Sequence, residues 1–288
     1  MTIIWAGLAV GAVYALVAIG YNIPLSQSGA FNFAQGEIVV LGAFLAWFTI
    51  GDHGWPWWAG ALFGAVVCCA IGFVEEMIAI RPVLRFRGMH GTLVTTVGAS
   101  VVISGLLDAT WSQTPKSLSF FGGQNAFTWL GGRLEPVDVW LMCIAVAVTV
   151  AMHLVTKYTS WGLRGRAAND DPEAAKAKGV NVAALRTTAF AAAGALAGLL
   201  GPVIGPEIGI DDSVGITLTI FGFIALALGG FGSYYGCFIG GIALGLVQSV
   251  ASRYLGANYP PLILFAILLA ILLLKPTGLL GRRALRAV

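Results

Sequence analysis

Apolar runs of about 20 residues alternate with short polar stretches along the whole chain, and within each run the apolar positions fall on both parities. Ala, Leu, Val and Gly dominate these runs, so they read as helices; strands of a membrane barrel would alternate apolar and polar residues. The stretches lie at about 3–21, 37–50, 57–80, 92–108, 137–156, 187–206, 214–230, 236–252 and 260–275, the second being short. The pattern predicts an all-α, polytopic integral membrane helical bundle of about nine spans, forming a single transmembrane domain over residues 1–288.

Composition agrees. The chain is 58% hydrophobic and 10% charged, against roughly 25% charged for soluble domains. No Lys or Arg precedes the first span, so it is expected to be a retained helix rather than a signal peptide. With an odd number of spans, Arg81, Arg85, Arg87, Lys157, Arg164, Arg166, Lys176, Lys178, Arg186, Lys275, Arg282, Arg283 and Arg286 share one side, and Lys116, Arg133 and Arg253 the other. Basic residues gather on the cytoplasmic side. The N-terminus is therefore expected outside and the C-terminus inside, with 157–186 a cytoplasmic loop and 109–136 an extracytoplasmic one. The net charge of +3 expresses this bias, and no basic-aromatic surface for nucleic acid remains.

Candidate chemistry is sparse. The four cysteines lie in apolar spans without a C-x-x-C, and the three histidines are scattered, which suggests neither a disulfide framework nor a metal site. No phosphate-cradling G-x-x-x-x-G-K-[ST] loop, G-x-S-x-G elbow or H-E-x-x-H pair occurs. Ionisable groups near the spans are few: Glu37, Glu75, Glu76 and Asp108. Uphill transport would therefore draw its energy from another chain. Glycines four apart (Gly7/Gly11, Gly60/Gly64, Gly194/Gly198, Gly201/Gly205, Gly236/Gly240, Gly241/Gly245) predict close helix packing or a subunit interface. Pro202 is expected to kink the sixth span.

Three segments carry more. Segment 26–37 is polar and glycine-bearing, and reads either as a broken or re-entrant stretch lining a cavity or as a plain turn, with Glu37 opening the second span. Segment 157–186 contains a short helix with a defined start and stop: Asp171 as N-cap, Pro172 in the first position, Glu173 in the first turn, Lys176 and Lys178 near the end and Gly179 as terminator. It reads as a docking helix or a solvated linker. In segment 75–85, Glu75 and Glu76 are placed near a helix C-terminus with Arg81 and Arg85 to compensate them. Thr95 and Thr96 in the following span face a polar path or bond back to their own helix.

These segments together resemble the first permease type of the hydrophobic or branched-chain amino acid ABC importers. Asn32-Phe33-Ala34-Gln35-Gly36-Glu37 with Leu41-Gly42-Ala43-Phe44 resembles the N-F-A-[HQ]-G motif and its L-G-A-[YF] continuation. Arg81-Pro82 with Thr95-Thr96-Val97-Gly98, the E-A-A-x-x-x-G pattern from Glu173 to Gly179, and Lys275-Pro276-Thr277-Gly278-Leu279-Leu280-Gly281 resemble three further motifs in the same order. The chain departs from the common pattern in having Gln35 for His and Lys275 for Arg, and its aromatic loop 109–136 aligns with nothing.

The resemblance implies a transport subunit of a bacterial inner membrane, not an enzyme, with no cofactor of its own. ATP and Mg would be held by two cytoplasmic ATPase subunits, a second homologous permease would complete the pathway as a heterodimer, and an extracytoplasmic binding protein would deliver substrate. Arg164, Arg166, Asp171, Glu173, Ala174, Ala175 and Gly179 would couple to the ATPases, and Asn32, Gln35, Glu37, Thr95 and Thr96 would border the path. Other cargoes of the same machinery are urea, amides or aromatic acids. The rival readings are a self-sufficient secondary transporter or channel using Glu37 or Asp108, and a lipid-modifying membrane enzyme, for which no catalytic cluster is present.

Overall fold

Each of the nine apolar stretches coincides with a helix in the computed structural model. The structure describes all residues except 87–88, 112–113, 124–125, 130, 212, 257, 276 and 282–288, and the side chains at 85–86, 89–90 and 129. Arg87, Pro276, Arg282, Arg283 and Arg286 of the sequence argument thus lie outside the described residues, as does the Arg85 side chain.

The helices are α1 (Thr2–Ser28), α2 (Gln35–Ala46), α3 (Trp57–Glu75), α4 (Arg81–Phe86), α5 (Met89–Trp111), α6 (Pro136–Tyr158), α7 (Ser160–Asp170), α8 (Pro172–Ala177), α9 (Val182–Ile208), α10 (Val214–Gly229), α11 (Tyr234–Leu255) and α12 (Pro260–Leu274). Two π-helical segments prolong them: Trp47–Asp52 continues α2, and Glu76–Ile80 joins α3 to α4. Among the described residues six helices are long and apolar enough to cross a membrane: Thr2–Ser28, Trp57–Leu84, Gly91–Trp111, Pro136–Tyr158, Val182–Ile208 and Tyr234–Leu255. Val214–Gly229 and Pro260–Leu274 are shorter and equally apolar.

Glycine positions the core. Gly7 and Gly11 of α1 meet Gly241 and Gly245 of α11 backbone to backbone, and a Cβ on Gly11 would lie 2.8 Å from the Ile242 Cα. Gly64 of α3 and Gly198 of α9 make a second such crossing, and Gly42 of α2 sits against Ala197 of α9. Gly60 meets Thr49, Gly201 meets Gly42, Gly205 meets Ala43, Gly236 meets Gly229 and Gly240 meets Ala225. All six predicted pairs thus pack elements within the chain; at most of these positions the absence of Cβ lets backbones approach, while Gly60 and Gly205 make room for side chains. α9 runs unbroken through Pro202 and Pro206.

α2 is buried along its whole length, and α1 and α9 over two thirds of their apolar windows, whereas α5, α6 and α12 present apolar side chains outward, among them Val94, Val101, Val146, Leu262 and Leu273. Such broad exposed apolar faces are stable against hydrocarbon and costly against water.

At the end of the bundle that holds Met1, the described parts of loop 109–136 are tied down. Strands β1 (Phe127–Trp129) and β2 (Gly132–Leu134) pair antiparallel, Phe121 stacks on Trp57 at 4.6 Å, Trp111 on Phe44 at 5.5 Å, and Lys116 exchanges backbone hydrogen bonds with Ile210. The 275–281 motif sits at the opposite end: Leu279 and Leu280 donate backbone N–H to Leu228 and Gly229, and Gly278, at φ +76°, lies against Gly230.

Candidate functional site

Loop 157–186 folds into two capped helices pinned against the bundle. The Thr159 hydroxyl accepts from Gly162 N–H at 3.2 Å and starts α7; Asp171 Oδ1 accepts from Glu173 and Ala174 N–H, both at 3.0 Å, and starts α8. α8 stops as expected, at Gly179 (φ +84°), with Val180 N–H bonded to the Ala175 carbonyl at 3.0 Å. Asn181 then caps α9 through Ala184 N–H at 3.0 Å. The predicted residues divide by role. Arg164, Asp171, Glu173, Ala174 and Gly179 are exposed, while Ala175 is buried against Ala168 and Leu185. Arg166 turns inward, its guanidinium donating to the Thr156 carbonyl at the end of α6. Trp161 Nε1–H donates to Thr188 Oγ1 at 3.0 Å, and Gly165 backs directly onto the buried Gln27 of α1. The result is a capped unit packed on α1, α6 and α9 whose outward surface mixes charged residues with Leu163 and several alanines.

Asn32, Gln35 and Glu37 form a buried polar seam. Asn32 organises it: Oδ1 accepts from Ala34 N–H at 2.9 Å, turning the chain into α2, and Nδ2 donates to Glu75 Oε2 at 2.8 Å. Gln35 reaches past Gly20 and donates to the Ala193 carbonyl at 3.2 Å, and Glu37 lies against Gly215 of α10. Tyr21 donates to the Thr219 carbonyl at 3.2 Å. Thr95 and Thr96 are not brought to this seam by any side-chain bond; both hydroxyls bond back to carbonyls of α5, including that of Thr92 at 3.1 and 3.0 Å.

The sequence reading of Glu75 and Glu76 holds for the Glu76–Arg81 ion pair, at 3.8 Å, and needs correction elsewhere. No helix ends there, because the π-helical turn carries the chain on to Arg81, so the unfavourable terminal dipole is absent. Glu75 pairs with Asn32, 43 residues away, rather than with an arginine. Glu76, fully buried, accepts from Arg186 Nε at 2.7 Å and Thr187 Oγ1 at 2.8 Å, with Arg81 Nε farther off at 3.8 Å. Arg186 was missed as its partner; the signal was opposite charges at the ends of two apolar runs on one expected side.

Removing one member of a buried pair strands the other, typically at about 3–5 kcal/mol. Arg186→Ala is therefore expected to lower the thermal midpoint in detergent strongly, while Arg186→Met combined with Glu76→Gln recovers part of the loss. Unfolding curves of the two variants check this, and equal destabilisation of both would count against the pairing.

The family model described as the permease component of the branched-chain amino acid transport system matches residues 3–274. The chain is 30% identical over 295 residues to the high-affinity branched-chain amino acid transport system permease protein LivH of Escherichia coli K12, covering 96% of this chain and 94% of that one. It is 28% identical over 293 residues to BraD, a permease protein of the same description from Pseudomonas aeruginosa, with the same coverage. It is 23% identical over 277 residues to a probable branched-chain amino acid transport permease of Methanocaldococcus jannaschii, covering 92% and 88%. No solved structure matches it significantly.

Proposed function

The chain belongs to the branched-chain amino acid transport permease family, and from that premise we propose that it forms half of the membrane pathway of an ATP-driven importer for branched-chain or other hydrophobic amino acids. In this reading it is a multi-pass subunit of the bacterial inner membrane, crossing about nine times with its N-terminus outside. A second, homologous permease completes the pathway, and two ATPase subunits, which hold ATP and Mg, dock on the α7–α8 unit. An extracytoplasmic binding protein delivers the substrate over the opposite end.

The observation that carries the reading is the α7–α8 unit itself. A six-residue helix is too short to be stable alone. Here caps at Thr159, Asp171 and Asn181 and the buried Ala175 hold it in one orientation, with Glu173 and Ala174 turned outward. An exposed helix fixed this firmly suits transmission of force from a docked partner. The inward side chains Arg166 and Trp161 pass that force to α6 and α9. Exposed Trp55, Trp57, Trp58 and Trp140 at the other end suit an aromatic belt at the outer interface. Alternating access then requires two states of the bundle that nucleotide and substrate bias differently.

Purification from the native membrane in mild detergent, followed by mass spectrometry, tests the reading. The expected result is co-purification of a second permease and Walker-motif ATPases. A pure chain that still transports without ATPases would overturn the mechanism and return attention to Glu37 and Asp108.

A further inference from the structure

Segment 29–34 is not helical, and it lies well inside the bundle rather than beyond its end. α1 ends at Ser28, with Gly29 in a left-handed conformation donating back to Leu25. The chain then climbs beside α1 until Gln35 meets Gly20, whose Cβ, if present, would touch the Gln35 amide. Gly20 stands eight residues before the end of α1, so the segment together with the Gln35 side chain reaches back along roughly 12 Å of that helix at 1.5 Å per residue. Irregular backbone at membrane depth survives against protein or a water-filled cavity, not against lipid. Consistently, the N–H groups of Phe31 and Phe33 find no protein acceptor among the described residues.

What this segment presents on its half-exposed side is aromatic. Phe31 and Phe33 meet Phe223 of α10 at 5.9 and 5.6 Å between ring centroids, and Phe31 meets Phe231 at 5.8 Å. Phe223 and Phe231 close the group at 6.5 Å, and all four rings are half-buried. Directly behind lies the polar seam: the Tyr21 ring is 6.4 Å from that of Phe33, and the Thr219 hydroxyl donates to the Phe33 carbonyl at 3.5 Å. The irregular backbone beside these rings is disfavoured against lipid, and half-buried phenyl rings gain from any apolar group that covers them further.

We propose that Phe31, Phe33, Phe223 and Phe231 form the wall of the translocation cavity that contacts the apolar side chain of the carried amino acid, and so set the permease's own share of the selectivity. This rests on the importer reading above. The four rings come from two separated stretches of chain and support one another, Phe31 edge to face with Phe223 and Phe231 and the other pairs tilted, so they offer a preorganised apolar surface whose size favours large side chains over small ones. No tight binding is needed, because a passing substrate must also be released.

The test uses the complete importer in proteoliposomes, with leucine and alanine as probes. Wild type is expected to take up both only with ATP. Phe33→Ala and Phe223→Ala are expected to cut leucine uptake about tenfold while changing alanine uptake little, the scale set by shape changes in an apolar pocket. Phe223→Leu, which keeps an apolar surface, restores most leucine uptake, and size-exclusion profiles report whether each variant is folded. In parallel, Phe223→Cys in a background lacking the four native cysteines is labelled with a water-soluble maleimide. Labelling that leucine slows supports the proposal. Labelling only by a membrane-soluble reagent, or a cross-link to the second permease in every nucleotide state, overturns it. ATP-driven uptake with an unchanged leucine-to-alanine ratio in the alanine variants overturns it alone, whereas wild-type uptake indifferent to ATP overturns the importer reading as well.

Discussion

Gly198→Leu is expected to remove nearly all folded protein from the membrane fraction. At this crossing α3 and α9 touch through backbone atoms: the nearest atom to a Cβ on Gly64 would be the Gly198 carbonyl oxygen at 2.8 Å, and a Cβ on Gly198 would run into the Gly64 carbonyl in turn. No side chain is available to move aside. α9 cannot retreat either, because its other side is occupied by α2, where a Cβ on Gly42 would lie 2.7 Å from the Ala197 carbonyl. Overpacking a core usually costs about 1–3 kcal/mol because neighbours adjust; backbone clamped on two sides adjusts least, so the upper part of that range or beyond applies. Gly105→Leu in α5 is the control, since a Cβ there meets nothing within 4 Å. Yield and thermal midpoint in detergent decide the matter. Comparable behaviour of the two variants would mean that the α3–α9 contact is looser than the structure has it.

Glu173→Lys should leave the protein folded and inserted yet reduce ATP-driven import at least tenfold. Glu173 is exposed, and among the described residues its side chain makes no hydrogen bond or ion pair that would hold the fold. Reversal of charge in the first turn of α8 opposes the helix dipole by about 0.3–1 kcal/mol, too little to dislodge a unit anchored by Ala175 and three caps. A large functional loss would therefore report the docking surface and not the fold. Ala174→Pro provides the complementary lesion: it deletes the N–H that Asp171 caps and leaves the surface charge alone. Uptake and ATPase stimulation in proteoliposomes measure both, and wild-type values for both variants would remove α8 from the coupling route.

Much of the helical architecture was legible because apolar run length is a local signal, and the nine stretches each found their helix. The α8 start and stop were legible for the same reason: Asp171, Pro172 and Gly179 act on backbone within three residues of themselves. Helix ends governed by distant contacts were not. α1 continues to Ser28, past the end of the first apolar stretch, where two of its polar residues find partners far along the chain. Ser26 bonds Tyr234 at 3.0 Å and Asn22 accepts from Gly232 N–H at 2.9 Å. The same limit hid the Asn32–Glu75 and Glu76–Arg186 pairs, which join elements 43 and 110 residues apart. The glycine pairs were readable as close packing, but which helix each would meet was not, since spacing names a face and not its neighbour.

α9 has a mechanical property that its packing does not advertise. As one unbroken helix of 27 residues it is roughly 40 Å long, and it is flanked at each end by a glycine with positive φ, Gly179 at +84° and Gly209 at +71°. Pro202 and Pro206 remove backbone N–H donors from its last two turns, and proline is where a helix bends most readily. The stretch before Pro202 is therefore the stiff part of the rod, and its compliance gathers in the last two turns, next to Ile210 and the Lys116 backbone bonded to it.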